Sequence, residues 1–122
     1  MAVTIGARVT VPGLHNWPDA HGDRSYLRCA HRHLFHIDVE ARVGHDERDV
    51  EFHDLAHLVD TEARRLGHDT DTGLVDYGAR SCETLARQLA VALAPIVNVA
   101  TVRWSEDGEF WATITTGEDQ DQ

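Results

Sequence analysis

The chain is poor in cysteine, short of positive charge, and without any long apolar run. Two cysteines, Cys29 and Cys82, in 122 residues leave no disulfide framework to read. Eleven Lys and Arg stand against 21 Asp and Glu, a formal net charge of −10. That balance argues against nucleic acid or an anionic membrane as the main partner, because phosphate recognition rests on clustered cations. No apolar stretch approaches the length of a bilayer span. The opening "MAVTIGARVT" lacks the charged and then apolar regions of a secretory leader. Together these absences predict a cytoplasmic protein.

What the chain does have is histidine, nine residues in 122, set in an ordinary soluble composition of 42% apolar and 26% charged residues. Its length predicts one domain, read as residues 1–116, with "GEDQDQ" at 117–122 as a disordered acidic tail. Residues 3–11 are β-branched and roughly alternating, and Pro12-Gly13 reads as the end of that strand. Residues 12–27 then read as a long loop rich in turn residues, of a length that is usually functional or disordered. Over 31–43 the alternation is clean: His31, His33, Phe35, Ile37, Val39, Ala41 and Val43 share one face. "VEF" after the following turn could add strand residues.

Leu55, Leu58, Val59 and Leu66 recur at helical spacing over 53–66, and Gly67 reads as the stop. A polar loop follows, then a second helix over 81–94 with Ser81 as N-cap, Glu83 in the first turn and Pro95 past the end. Strands over 98–105 and 109–115 join through "EDG", a hairpin signal. The order ββααββ predicts an α+β domain: a four-stranded antiparallel sheet with two helices on one face. Its exposed edges favour pairing between identical subunits into a closed barrel.

Because strand side chains alternate, His31 and His33 point the same way, within reach of one ion. A third nitrogen from His15 or His21, both in the upstream loop, would complete a three-histidine site with an open fourth position. His53 and His57, four apart on a helix, share their face with Asp60 and Arg64 and read as solvated surface. His36 and His45 are given no role.

Taken in order, His15, "HRHLFHIDVEARV", "VEFHDL", "RRLGH", "SCETLARQL" and "VRWSEDGEF" resemble the 6-pyruvoyl-tetrahydropterin synthase and 6-carboxytetrahydropterin synthase family over roughly residues 8–112. The resemblance implies a tunnelling fold (T-fold) whose trimers close a barrel and pair face to face, with sites at subunit interfaces. It implies zinc on His15, His31 and His33, with Phe35 at an aromatic position. Substrate-binding roles fall to Glu106, the pterin anchor, and to Glu83; His68 becomes a proton relay. The implied activity is a zinc-dependent lyase acting on a reduced pterin such as 7,8-dihydroneopterin triphosphate, giving a 6-pyruvoyl or 6-carboxy tetrahydropterin. Members of this kind also serve deazapurine synthesis on the way to queuosine.

Three positions depart from the family pattern. The catalytic cysteine is expected where this chain has Leu27, so Cys29, two residues on and about 6–7 Å along an extended chain, is the available substitute base. The aspartate expected before His68 is Gly67, and the glycine between the paired histidines is Arg32. Cys82 reads as a packing residue. The zinc half of the pattern is intact and the proton-transfer half is altered. An alternative therefore stands beside the lyase: a zinc- and pterin- or purine-binding homologue without ordinary synthase activity.

Overall fold

The computed structural model describes residues 1–117, so all but the first residue of the acidic tail lies outside the described residues. Strands β1 (Val3–His15) and β2 (His31–Val43) are followed by helix α1 (Phe52–Arg65). Then come the short strands β3 (His68–Asp69) and β4 (Val75–Asp76), helix α2 (Cys82–Leu93), and strands β5 (Asn98–Glu106) and β6 (Phe110–Thr115). The sheet has six strands in the order β3-β4-β1-β2-β5-β6, not the expected four. The added pair lies inside the segment read as a polar loop. Each of its strands has only two residues, too few for any alternation to show. β4 runs parallel to β1 at Gly13 and Leu14, so the sheet is mixed rather than purely antiparallel.

β1 does not end at Pro12-Gly13. Both residues stay in register with β2, Pro12 opposite Leu34 and Gly13 opposite His33. Leu14 turns its carbonyl outward to accept from Tyr77 N–H at 2.9 Å. By alternation Pro12 also faces outward, where β4 does not reach, so its missing N–H costs no ladder bond. Gly13 is required by space: a Cβ there would lie 2.7 Å from the Val75 carbonyl oxygen and 2.8 Å from the Phe35 ring. The rest of the expected long loop contains a 3-10 helix, Gly22–Arg28.

Residue 51, read as a strand continuation, instead caps α1: its carboxylate accepts from the backbone N–H groups of His53 and Asp54. Ser81 caps α2 by accepting from Thr84 N–H. Leu55, Val59 and Ala63 of α1, and Leu85, Leu89 and Leu93 of α2, are buried on one face of the sheet. They meet the stripe Val11, Phe35, Ile37, Val39, Val102 and Trp104, all fully buried. At roughly 1.5–3 kcal/mol for each fully buried large apolar side chain, this single layer supplies most of the drive to fold. The opposite face is polar, with Arg8 bonded to Asp38 at 2.6 Å and Thr10 to His36 at 3.2 Å. No helix among the described residues is long and apolar enough to cross a membrane.

Candidate metal centre

The buried stripe of β2 runs Ala41, Val39, Ile37, Phe35 and then, with no change of face, His33 and His31. Pairing sets His15 directly opposite His31, so the continuation of β1 past Pro12 carries the third imidazole to the same corner. The nitrogens of His15, His31 and His33 able to ligate lie within 4.8 Å of one another, and no other such cluster exists among the described residues. The ring centroids are 4.6, 4.7 and 4.8 Å apart. His21 lies elsewhere, exposed, with Nδ1 3.2 Å from the Asp19 carbonyl oxygen.

Two of the three rings are held from behind. His31 Nδ1 donates to the Cys29 carbonyl at 2.9 Å, and His33 Nδ1 donates to Asp107 Oδ2 at 2.6 Å. This is the arrangement that orients metal-ligating imidazoles, leaving Nε2 free to ligate. His33 Nε2 is buried and has no hydrogen-bond partner. A buried orphan nitrogen beside two more imidazoles fits a zinc ion: three neutral nitrogen ligands and space for a fourth. Burial, opposed by Glu106 and reinforced by the two neighbouring rings, lowers the pKa of His15 and keeps it in the neutral form a metal needs.

Glu106 ends β5 and projects into the same corner, Oε1 3.4 Å from His15 Nε2 and Oε2 3.5 Å from His33 Nε2. The Cys82 thiol donates to Glu106 Oε1 at 3.5 Å. Burial and the adjacent Glu106 carboxylate push the Cys82 thiol up to about 12, so it acts as a neutral donor and not as a thiolate. These groups open onto a cleft of about 320 Å³, shared with Glu83 and Arg80 and walled by Trp17, Leu27, Phe110 and Trp111. Apolar flat walls around a few converging polar groups suit a planar heterocycle with polar edges.

The structure thus gathers His15, His31, His33, Glu83 and Glu106 in one place. It does not gather the two groups read as proton-transfer residues. Cys29 is exposed and off the cleft wall, while Leu27 forms part of that wall. His68 is exposed and lines a neighbouring groove with Trp17, Asp76 and Arg80. Sequence reasoning missed Asp107, which read only as a turn residue, and it assigned Cys82 to packing although the thiol faces Glu106. Neither carries a pattern of its own: each acts through a neighbour distant in sequence, Cys82 from α2 to Glu106 and Asp107 from its turn to His33.

No protein-family model matches the sequence, and no curated protein does either. Solved structures do match. The 6-pyruvoyl tetrahydropterin synthase of Caenorhabditis elegans superposes with a TM-score of 0.64 at 15% identity, covering 96% of this chain and 97% of that one. An uncharacterized protein from Wolinella succinogenes superposes with a TM-score of 0.63 at 12% identity, covering 96% and 99%. The chain has the T-fold. At these identities the likeness speaks for architecture alone.

Proposed function

We propose that this T-fold chain is a divergent member of the tetrahydropterin synthase family, a zinc-dependent lyase acting on a reduced pterin such as 7,8-dihydroneopterin triphosphate. The observation that carries the reading is the convergence of three imidazoles, two of them back-bonded, beside a cleft with a carboxylate at its inner end. Zinc on His15, His31 and His33 would supply a Lewis acid that acidifies protons next to a ligand's side-chain hydroxyls. The chain's own groups do the rest. Glu106 and Glu83 accept from the guanidine-like N–H edge of a pterin, as charge-assisted contacts. Trp17, Phe110 and Trp111 cover its flat faces, and Arg80 is the cationic side chain on the cleft wall. Within one chain Cys29 and His68 do not reach the cleft, so their proposed role as base and relay requires a homo-oligomer, a trimer or hexamer, whose interfaces complete the site. Incubating zinc-loaded protein with 7,8-dihydroneopterin triphosphate tests the reading: consumption of substrate with release of a tetrahydropterin supports it, and none rejects it.

The presence of Leu27 on the cleft wall favours a second reading. An apolar side chain where a thiol would be needed leaves binding intact and removes a proton acceptor. On that reading the chain holds zinc and a pterin- or purine-like ligand without turnover, and saturable binding survives replacement of both cysteines.

A further inference from the structure

We propose that Asp107 is a positioning residue for the metal centre, selecting the tautomer of His33 that presents Nε2 to the ion. This rests on the proposed zinc site but makes a claim that holds in the metal-free chain. Asp107 and Gly108 are the two central residues of the turn in the three-residue connection between β5 and β6, both with positive φ, 56° and 73°. Glu109 N–H donates back to the Glu106 carbonyl at 3.0 Å, closing the hairpin.

The turn alone does not call for an acid, since Asn-Gly suits these dihedrals at least as well. What calls for an acid is the number of donors converging on the side chain. Oδ1 accepts from Leu34 N–H at 2.8 Å while Oδ2 accepts from His33 Nδ1 at 2.6 Å. A carboxylate satisfies both donors at once; a side-chain amide has a single acceptor oxygen and would turn an N–H toward one of them. Asp107 N–H also donates to the Leu34 carbonyl at 2.8 Å, so backbone and side chain together clamp the turn to β2 beside the ring it steers. With Nδ1 carrying the proton, the lone pair of a neutral His33 sits on Nε2. That is the buried nitrogen that has no hydrogen-bond partner. The carboxylate's donor count and the orphan nitrogen assign the same tautomer.

The test is Asp107→Asn in the full chain, because asparagine keeps the turn and leaves one acceptor. Two quantities are read: the nitrogen chemical shifts of His33 in metal-free protein at a pH where the rings are neutral, and the zinc dissociation constant by chelator competition. The parent shows the Nδ1–H form. The variant shifts toward Nε2–H and binds zinc roughly 10–100-fold more weakly, with its metal-free melting temperature close to the parent's. An unchanged tautomer together with zinc affinity within about twofold of the parent overturns the proposal, and so does a parent already in the Nε2–H form. If Asp107→Asn fails to fold, Asp107→Gly, which also accepts positive φ, carries the same two measurements. A parent that takes up no zinc yet shows Nδ1–H upholds the tautomer assignment and rejects the metal reading separately.

Discussion

Replacing Gly67 by alanine should destabilise the protein although the residue has no functional atom and no left-handed backbone. A Cβ built there would lie 2.5 Å from Val75 Cγ1, 2.8 Å from the Asp76 carbonyl oxygen and 3.0 Å from Tyr77 Cδ1. All three neighbours are anchored. Val75 and Tyr77 are about 1% exposed, and Asp76 pairs with His68 across β3 and β4. Tyr77 OH donates to the Ala63 carbonyl at 2.9 Å, pinning the ring to the end of α1. With no far end of a flexible side chain to yield, the strand must move. Overpacking of this kind costs about 1–3 kcal/mol. At roughly 3–6 °C of melting temperature per kcal/mol for a chain of this size, Gly67→Ala should melt about 5–15 °C below the parent. Gly67→Asp, which restores the family pattern, should fall further, because a larger side chain starts from the same crowded Cβ position. Melts followed by circular dichroism on metal-free protein are the assay. A Gly67→Ala melt within about 2 °C of the parent would show that β4 gives way freely.

Further outcomes follow from the same geometry. At pH 8 iodoacetamide should modify exposed Cys29 and spare Cys82, whose folded value of about 12 keeps it protonated; Glu106→Gln should speed Cys82 modification, read site by site by mass spectrometry. The same shift sets a pH dependence. The folded thiol is held above its ordinary 9.0, so its stabilising contribution is complete below pH 9 and lost between about 9 and 12, where only the unfolded thiol ionises. A urea midpoint that does not fall over that window in the parent, relative to Cys82→Ala, would refute it. Ser81→Ala removes the bond accepted from Thr84 N–H and should cost about 0.5–2 kcal/mol in denaturant melts. Leu27→Cys should leave zinc content unchanged and raise consumption of 7,8-dihydroneopterin triphosphate. If that variant gains no turnover, the apolar wall is not what limits the chemistry.

The parts of the fold that were legible were those where local pattern and global environment agree. β2 was readable because its apolar residues alternate over its whole length against the core. α1 was readable from its apolar spacing and α2 from apolar spacing together with the Ser81 cap, each within a residue of the observed ends, whereas the α1 cap Glu51 was read as strand. The histidine pair was readable for the same reason, since alternation alone sets His31 and His33 on one face. The residues left His15 and His21 as alternatives for the third ligand. Register favours His15, because β1 continues past a proline that faces an open edge. What stayed hidden depends on pairing rather than pattern. β3 and β4 exist only through their partners, Gly67 is fixed by what packs against it, and Asp107 reaches a ring 74 positions away in sequence.

The central claim is that His15, His31 and His33 hold one zinc ion. Its most direct test is the metal content of protein exchanged against a weak chelator, measured for the parent and for His33→Ala. The account predicts one zinc per parent chain and a loss of stoichiometric binding in the variant, with both proteins folded. A parent without stoichiometric metal, or a variant that keeps its zinc, would contradict it.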